Sequence, residues 1–543
     1  MTNEMATTHE MDDAVDRLRA DYDETPYTSN SFPQSAPGQL AAIAHLFGLD
    51  APDVSSSRVL EIGCAGGGNL IPFAAAHPRA RVVGIDLSQV QIEQGRARVA
   101  ALGLDNLELI AGDVAQMDLA ALGRFDFIVA HGVYSWVPAA IQDALLSAFR
   151  GSLAPDGVCY VSYNTYPGWK SKEVLRDAML LASGTSETPT DKVRAARGMV
   201  DFLEQVVPAD GVMRRVLEVS QDHALGFGDS YLLHDELATF NSPCYFYEMV
   251  GRAGAHGLAY LAEAHLETMI PANFGPKVDE YLRATCGGVQ VLVEQYLDFV
   301  LNRMFRESLL VHVERAPQIR YDPQPGRAER VHIAAWVPPV DGQTRLDNSR
   351  QEYLVSDGAT LFTNDPGLKA TMDSLNARWP ATVSRHDLVA EAQARLESAG
   401  FTVSSNLAEH VDNLMLVLIL QGVAKFRLDP VSLEPASEPL RLAEETRRTV
   451  EVTRERGDAS TFNLWHETLI LSALDSLLLP LLDGTRDSES LVEALLASVR
   501  EQPIEIELDG KQVTGESDVR AALAKYVAAL PQHLAELQLV RPV

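Results

Sequence analysis

Short apolar runs alternate with longer amphipathic stretches between residues 58 and 164, which predicts strands and helices in turn. The longer stretches predict helices from near Asn69, over Ser88–Ala101 with Ser88 as the N-cap, and over Pro138–Phe149 with proline in the first turn. The apolar runs predict five strands, at Val59–Ile62, Arg81–Ile85, Leu107–Ala111, Arg124–Ala130 and Gly157–Tyr163. Repeated strand–helix order with short loops is typical of an α/β fold with a parallel, doubly wound, Rossmann-like sheet.

Polar side chains stand at or just past the ends of these predicted strands, at Glu61, Asp86, Asp113, His131 and Asn164. Ligands of doubly wound sheets bind beyond the carboxyl ends of the strands, where such side chains converge. The sequence therefore predicts one ligand site at this edge of the sheet.

A glycine-rich run, Gly63-Cys-Ala-Gly-Gly-Gly68, follows the first strand and allows a tight turn with close approach to a ligand. Asp86 follows roughly 20 residues later, the offset at which an acidic residue meets a ribose hydroxyl. The run lacks both the Gly-x-Gly-x-x-Gly of dinucleotide folds and the Lys-Ser or Lys-Thr of phosphate loops. A nucleoside ligand is indicated, with an ordinary strand-to-helix turn as the alternative.

The pattern Glu61-x-Gly63-x-x-Gly66-x-Gly68 resembles motif I of the class I S-adenosylmethionine-dependent methyltransferases. The resemblance implies S-adenosylmethionine as the cofactor and a reaction without a metal. It also implies that the arm before Gly38 folds over the cofactor. The cofactor-binding residues it implies are Tyr22 and Tyr27 in the arm, Glu61, Gly63, Cys64, Gly66 and Gly68 at the methionine part, Asp86 and Leu87 at the ribose, Asp113 and Val114 at the adenine, and His131 beside the methionine.

Aromatic-rich loops after the fourth and fifth strands predict the site of the methyl acceptor. Aromatic faces attract an amine cation by roughly 0.5 to 2 kcal/mol each. The segment Asn164-Thr-Tyr166-Pro resembles, in altered order, a loop of amine and amide methyltransferases, although that loop follows the fourth strand there. Core packing is the alternative for these aromatics, and His234 is interpreted as structural. The predicted catalytic residues are Tyr134, Trp136, Asn164 and Tyr166, with Trp169 nearby.

Four segments of the middle region resemble the methyltransferase regulatory domain that follows such cores in bacteria. This architecture is similar to that of bacterial lysine methyltransferases that modify outer-membrane proteins. The segments are Tyr231-Leu-Leu-His-Asp-Glu-Leu, Tyr245-Phe-Tyr-Glu, His256-Gly-Leu-Ala-Tyr-Leu-Ala-Glu and Glu294-Gln-Tyr-Leu-Asp-Phe.

Shifts in composition and pattern predict five regions along the chain. From Trp379 onward the pattern suggests helices followed by a hairpin at Val423–Leu428, as in a winged helix, and Ile504–Val513 predicts a hairpin turning at Asp509-Gly510. The predicted regions are an arm and cofactor lid over 1–50, a catalytic core over 51–170, a mostly helical regulatory domain over 171–315, a linker or irregular segment over 316–378 and an α+β C-terminal module over 379–543.

The acidic net charge of the chain makes some classes of binding partner less favourable than others. With 45 Lys and Arg against 75 Asp and Glu, the formal charge of −30 argues against nucleic acid and anionic membranes as partners. It favours protein contact or dimerisation for the C-terminal module. Solubility is the alternative explanation of the acidic surplus. The four cysteines are widely spaced, which signals neither disulfides nor a zinc site.

The start of the chain carries no secretory signal, and the apolar run Leu414–Leu420 is far shorter than the roughly 20 residues of a membrane span. A cytoplasmic protein without membrane insertion is expected. The expected activity is S-adenosylmethionine-dependent N-methylation of lysine side chains in a protein. A small-molecule or peptide methyltransferase is the enzymatic alternative, and a cofactor-binding scaffold without catalysis is the other.

Overall fold

A computed structural model describes residues 15–20, 22–27, 29–186, 188–220, 229, 232–355, 358–501, 504, 506–508, 511–513 and 515–541. Residues 1–14 of the predicted arm, Tyr231 of the quoted motif and the predicted turn at Asp509-Gly510 lie outside these ranges. None of the helices within them has both the length and the apolar character needed to cross a membrane.

A seven-stranded sheet forms the centre of the fold. Its strands are β1 Arg58–Ile62, β2 Arg81–Asp86, β3 Leu107–Ala111, β4 Phe125–Ala130, β5 Leu153–Asn164, β6 Leu258–Glu263 and β7 Phe305–His312. They lie in the order β3-β2-β1-β4-β5-β7-β6. Strands β1 to β5 are parallel, so the five strands predicted from the apolar runs are confirmed.

The last two strands extend the predicted parallel sheet into a mixed one. Strand β7 runs antiparallel to both β5 and β6, with Asn164 opposite Phe305 and Leu258 opposite His312. Both strands come from the region 171–315, which is predicted to be mostly helical. Strand β7 pairs with β5, more than a hundred residues earlier, and no local pattern encodes that return.

Arg306 in β7 fixes the helical region to the sheet. Its side chain is fully buried, with Nη1 2.8 Å from Glu263 Oε1 and Nη2 2.8 Å from Asp298 Oδ1. Glu294 Oε2 lies 3.1 Å from Nη1. A buried charge is stable only when it is paired and hydrogen-bonded in this way, so the cluster specifies one position for the helix that carries Glu294 and Asp298.

Helices cover the sheet and fill the two long insertions. Gln89–Leu102 follows its predicted signals, since the Ser88 side chain accepts a hydrogen bond from Gln91 N and Gly103 ends the helix at φ +69°. The helices up to β7 are Pro37–Leu46, Leu70–Ala76, Gln89–Leu102, Ala139–Ser152, Trp169–Ser183, Pro189–Val206, Val212–Ser220, Phe246–Ala255, Pro276–Cys286 and Gln290–Leu301, with a π-helical turn at Leu232–Glu236.

The segment 316–378, predicted to be a linker or irregular, contains regular structure. Its strands β9 and β10 form a hairpin, and strand β8 pairs with β11 and β12. The predicted hairpin at Val423–Leu428 is wrong, because β12 pairs with β8, about ninety residues earlier, rather than with a following strand. The elements here are β8 His332–Ala334, β9 Gln351–Leu354, β10 Thr360–Thr363, Pro366–Arg378, β11 Val383–Ser384, Arg385–Ser398, Leu407–Leu420 and β12 Lys425–Arg427.

The predicted module over 379–543 contributes to two separate cores. Leu388 and Met415 belong to the same buried cluster as Leu60 in the central sheet, whereas Leu477 and Leu523 belong to a second cluster. The antiparallel pairing of β15 and β16 confirms the predicted last hairpin. The remaining elements are Glu444–Arg456, β13 Ser460–Phe462, β14 Thr468–Ile470, Ala473–Leu478, Ser488–Glu501, β15 Glu507–Leu508, β16 Lys511–Gln512 and Glu516–Glu536.

Candidate active site

A cavity of about 570 Å³ lies at the carboxyl ends of the central strands and is covered by residues of the N-terminal arm. We call two parts of its wall the sheet side and the helical side. The sheet side comprises Glu61, Gly63, Asp86, Asp113 and His131, at the strand ends. The helical side comprises Trp136, Trp169, Lys172, His234 and Asp235, most of which come from the helical insertion.

The glycine run makes the tight turn that shapes the sheet side. Gly63 has φ +78°, and a Cβ placed on it would lie 2.3 Å from Val133 Cγ2. A Cβ on Gly68 would lie 2.2 Å from the Ser29 carbonyl oxygen, and Gly68 N donates to Ser29 Oγ at 2.7 Å. The absence of side chains therefore lets the turn contact both the neighbouring loop and the arm.

Asp86 and Asp113 both use their carboxylates to hold turns while they line the cavity. Asp86 accepts hydrogen bonds from Ala65 N at 2.7 Å and Ser88 N at 2.9 Å. Burial raises the pKa of Asp86, and these backbone donors oppose the shift. Asp113 accepts from Ala115 N at 2.9 Å. A carboxylate has about four acceptor sites, so both retain capacity for a ligand.

Glu61 carries a buried oxygen without a hydrogen-bond partner in the described part of the chain. Its Oε1 accepts from Asn69 Nδ2 at 2.9 Å, whereas Oε2 accepts from none of the described groups. Burial raises the pKa of Glu61 to about 8 against the effect of Asn69. A buried unsatisfied carboxylate oxygen is costly, so this site is complementary to a ligand that supplies a donor, above all a cationic one.

His131 is a neutral ring with a fixed orientation. Tyr160 donates its hydroxyl hydrogen to Glu307 Oε1 at 2.7 Å, which leaves the tyrosine oxygen to accept from His131 Nδ1 at 2.9 Å. Burial lowers the pKa of His131 to about 4. The ring stacks on Phe32 of the arm with a centroid distance of 3.8 Å, so His131 joins the sheet to the cover of the cavity.

The helical side is rich in aromatic rings and already holds an ammonium group. Lys172 Nζ lies 4.5 Å from the centroid of the Trp169 ring and 2.8 Å from Glu236 Oε1. Trp136 meets Trp169 edge to face at 6.1 Å. His234 contacts Thr25 O through Nε2 at 2.6 Å. This part of the wall thus provides cation-binding faces beside a carboxylate.

Most of the predicted site residues line the cavity. Asn164 does so while its Nδ2 donates to Asn241 Oδ1 at 3.0 Å. The lining residues among those predicted are Tyr22, Tyr27, Glu61, Gly63, Cys64, Asp86, Leu87, Asp113, Val114, His131, Trp136 and Asn164. Gly66 and Gly68 belong to the glycine turn but do not line the cavity.

Tyr134 and Tyr166, two of the predicted catalytic residues, do not line the cavity. Tyr134 is fully buried in the core, and its ring packs edge to face on Tyr163. The Tyr166 hydroxyl donates to Glu173 Oε1 at 2.7 Å, and its ring lies 5.4 Å from that of Tyr245. Tyr134 and Trp136 lie in one 3₁₀ turn, where three residues complete a turn and positions two apart point about 120° apart, so Trp136 reaches the cavity where Tyr134 does not.

Sequence reasoning missed much of the helical side and of the cover. His234 was interpreted as structural; it does have a partner, but it also lines the cavity. The motif around Asp235 resembles the regulatory domain and by itself predicts no role in the site. No local sequence signal marks Asp235, because its place in the wall depends on packing between distant segments. The missed lining residues include Ser29, Asn30, Phe32, Asn69, Lys172, His234, Asp235, Met304 and Phe305.

Comparisons with protein families divide the chain into three matched parts. Residues 60–159 match the family described as "Methyltransferase domain", and residues 228–312 match "Predicted methyltransferase regulatory domain". Residues 445–539 match "PKMT, C-terminal winged helix domain". The winged helix therefore lies later in the chain than the pattern from Trp379 suggested.

Similar proteins cover almost the whole chain. The uncharacterised protein RP789 of Rickettsia prowazekii is 31% identical over 514 residues, which is 92% of this chain and 90% of that protein. RP028 of the same organism is 34% identical over 43% of this chain and 93% of its own length. The structure of PKMT2 from Rickettsia typhi in complex with AdoHcy has a TM-score of 0.80 and 25% identity, and covers 94% of this chain and 99% of that one.

The sheet order, the glycine turn and the acidic strand ends define a class I S-adenosylmethionine-dependent methyltransferase, with S-adenosylmethionine as its cofactor. The chain belongs to the family of such enzymes in which a methyltransferase core is followed by a methyltransferase regulatory domain and a PKMT C-terminal winged helix domain.

Proposed function

We propose that this methyltransferase modifies lysine side chains of a protein. The observation that carries the proposal is the position of Lys172, whose ammonium group lies over Trp169 and beside Glu236 in the cavity wall. Trp136, which meets Trp169 edge to face, and the Asp235 carboxylate line the same wall and suit a second lysine ammonium. The likeness to PKMT2, a protein lysine methyltransferase by its name, supports the same acceptor.

The residues of the sheet side fit the cofactor. Glu61 Oε2, which lacks a donor in the described chain, would accept from the amino group of the methionine part. Asp86 with Leu87 would bind the ribose, and Asp113 with Val114 the adenine. Gly63, Cys64 and His131 would line the methionine part, and Tyr22 and Tyr27 would cover it. Bound S-adenosylmethionine supplies a methyl group on a sulfonium.

Positioning is the main contribution that the chain makes to such a transfer. Holding two reactants in line replaces a bimolecular encounter, an effect of about 7–11 kcal/mol at its largest. The arm, which contacts the sheet through Phe32 and Ser29 and the helical insertion through Thr25, would exclude water and orient the acceptor. Trp136 and Asn164 would contact the acceptor from the strand ends.

Each of the first three regions predicted from the sequence has a function in the proposed reaction. Residues 1–50 would form the lid and 51–170 the cofactor-binding core, while the insertion within 171–315 would supply the acceptor wall. We further propose that the protein acts in the cytoplasm and that its acceptor is a protein or peptide rather than nucleic acid, which a charge of −30 repels.

Transfer of labelled methyl groups into a size-fractionated extract of the source cells tests the proposal. We expect label in the protein fraction, with methyllysine identified by mass spectrometry. Asp86→Ala should reduce the label at least about tenfold, because hydrogen bonds to a charged group contribute roughly 1.5–3 kcal/mol. The matched control Asp105→Ala changes an exposed aspartate at the opposite end of β3 and should leave the label unchanged.

Two outcomes would contradict the proposed function. Label confined to the small-molecule fraction would indicate a metabolite acceptor. Tight binding of S-adenosylhomocysteine without label in any fraction would indicate a protein that binds the cofactor but does not transfer the methyl group.

A further inference from the structure

Asp235 is the one carboxylate of the cavity wall for which the described residues provide no hydrogen bond. Four carboxylates line the cavity: Glu61, Asp86, Asp113 and Asp235. The first three each accept at least one hydrogen bond, as described above. Asp235 Oδ2 is buried and accepts from none of the described groups. A buried polar atom left in this state commonly serves a ligand or a reaction.

The local backbone holds Asp235 in place. The residue lies in the π-helical turn Leu232–Glu236, and such turns are rare and frequent at functional sites. The residue before it, His234, contacts Thr25 O of the arm, and the residue after it, Glu236, pairs with Lys172. Asp235 is therefore fixed from both sides, between the arm and the helix Trp169–Ser183.

The charges around Asp235 suit a group that exchanges protons near neutral pH. The titratable groups that face it are Tyr27 from the arm, Lys172 from the helix, and His234 and Glu236 from its own turn. Burial raises the pKa of Asp235 to about 7; Glu236 acts in the same direction and Lys172 opposes it. Lys172 is also paired with Glu236, so its charge acts on both carboxylates.

The two histidines of the wall are held by hydrogen bonds to other parts of the chain. His131 Nδ1 is engaged with Tyr160, and burial lowers the pKa of His131 to about 4. His234 Nε2 is engaged with the Thr25 carbonyl, which requires a proton on that nitrogen. Asp235 Oδ2 differs from both rings in being a buried carboxylate oxygen that accepts from none of the described groups.

We propose that Asp235 is the general base that removes a proton from the acceptor lysine, an assignment that rests on the proposed function. A lysine ammonium, with an ordinary pKa of about 10.4, lacks a lone pair at neutral pH and cannot attack. The proton passes from the nitrogen to the Asp235 carboxylate. The nitrogen lone pair then forms the N–C bond while the S–C bond breaks with its electrons on sulfur, and Asp235 later releases the proton to solvent.

The pH dependence of single-turnover methyl transfer tests this assignment. The full chain, loaded with labelled S-adenosylmethionine, is mixed with the protein fraction of the source-cell extract between pH 6 and 10. Asp235→Asn should reduce the rate at pH 7 about 100-fold or more, within the range that general bases contribute. The deficit should shrink below about tenfold near pH 10, where the acceptor amine loses its proton without help.

Controls separate this proposal from a structural effect and from failure of the proposed function. Asp235→Asn should bind S-adenosylhomocysteine within twofold of the wild type, and Asp229→Asn, an exposed carboxylate paired with Arg197, should transfer at the wild-type rate. An equal loss of rate at every pH, or a loss below threefold at pH 7, would overturn the role of Asp235. Absence of protein label with the wild-type chain would instead overturn the proposed function.

Discussion

The sheet side and the helical side of the cavity are built in different ways. The sheet side is drawn from residues 61–131, and its acidic groups stand at the ends of neighbouring parallel strands. The helical side combines Trp136 and Trp169 with Asp235, which lies about seventy residues further along the chain. The sheet side thus depends on local strand–turn–helix units, whereas the helical side exists only after the insertion has packed.

The difference explains how one core can serve different acceptors. Cofactor recognition resides in the sheet side, where backbone turns hold Asp86 and Asp113 whatever the insertion contains. Acceptor chemistry resides in side chains that an inserted segment supplies. Replacing the insertion would change the acceptor while the cofactor site remained, which is a general property of sites carried on shared folds.

Gly68→Ala should have the largest effect and should act on the sheet side. Its Cβ would lie 2.2 Å from the Ser29 carbonyl oxygen and 2.5 Å from the Ser29 carbonyl carbon, which are backbone atoms that must move. Overpacking of this kind costs about 1–3 kcal/mol, or roughly 10- to 100-fold in affinity. Isothermal titration with S-adenosylhomocysteine measures the loss.

The matched control for this change is Gly66→Ala in the same turn. The nearest atom to a Cβ there is Gln91 O at 3.7 Å, an ordinary contact. Its affinity should stay within about twofold of the wild type. Equal losses of affinity in Gly66→Ala and Gly68→Ala would show that the close contact between Gly68 and Ser29 of the arm is not the cause of the loss.

Trp169→Leu should weaken the helical side and spare the sheet side. The change removes the ring over which Lys172 lies at 4.5 Å. Cation–π attraction amounts to roughly 0.5–2 kcal/mol, so kcat/KM for the protein acceptor should fall about 2- to 30-fold. Affinity for S-adenosylhomocysteine should not change. A loss of cofactor affinity equal to the loss in kcat/KM would contradict the separation of the two sides.

Glu61 should make cofactor binding dependent on pH. With a pKa of about 8, Glu61 holds a proton below pH 8 in the free protein, whereas an ionised Glu61 binds the cofactor's amino group best. Affinity for S-adenosylhomocysteine should therefore rise up to about tenfold per unit between pH 6 and 8, then level off. Glu61→Gln should lack this rise, and an identical slope in both proteins would exclude Glu61 as its source.

The raised pKa of Glu61 also affects folding: the stability of the cofactor-free protein should fall over the pH range in which cofactor affinity rises. Because the folded protein holds this proton more tightly than the unfolded chain, the contribution of Glu61 to the free energy of unfolding falls as pH rises from about 4.5 to about 8. Thermal unfolding of the cofactor-free wild type should show a larger decrease over this interval than Glu61→Gln.

Thr468→Val should have the smallest effect, at the border between the C-terminal region and the arm. Thr468 Oγ1 accepts from Ser31 N at 3.0 Å and shares a hydrogen bond with Ser31 Oγ at 2.7 Å. Losing hydrogen bonds of about 1 kcal/mol each should reduce affinity for S-adenosylhomocysteine several-fold, as measured by titration. Thr363→Val, which removes a hydroxyl bonded to Asp365 N, is the control and should have no effect.

Local sequence signals were sufficient to predict the methyltransferase core. The N-cap at Ser88, the five parallel strands and the glycine turn each depend on residues close together in the chain, and each is confirmed. Strands β6 and β7 were missed because their partners lie far away. Tyr134 and Tyr166 do not line the cavity, because aromatic composition shows that rings lie near a site but not which of them face it.

The sequence by itself determined the class of fold, the cofactor and the strand ends that form the sheet side, because a strand, its turn and its helix are encoded within about thirty consecutive residues. Only the tertiary structure decided that the helical insertion returns as β6 and β7, and that His234 and Asp235 line the cavity beside Trp136. The physical reason is that burial and pairing between distant segments depend on the packing of the whole chain, of which Arg306 with its three acidic partners is an example.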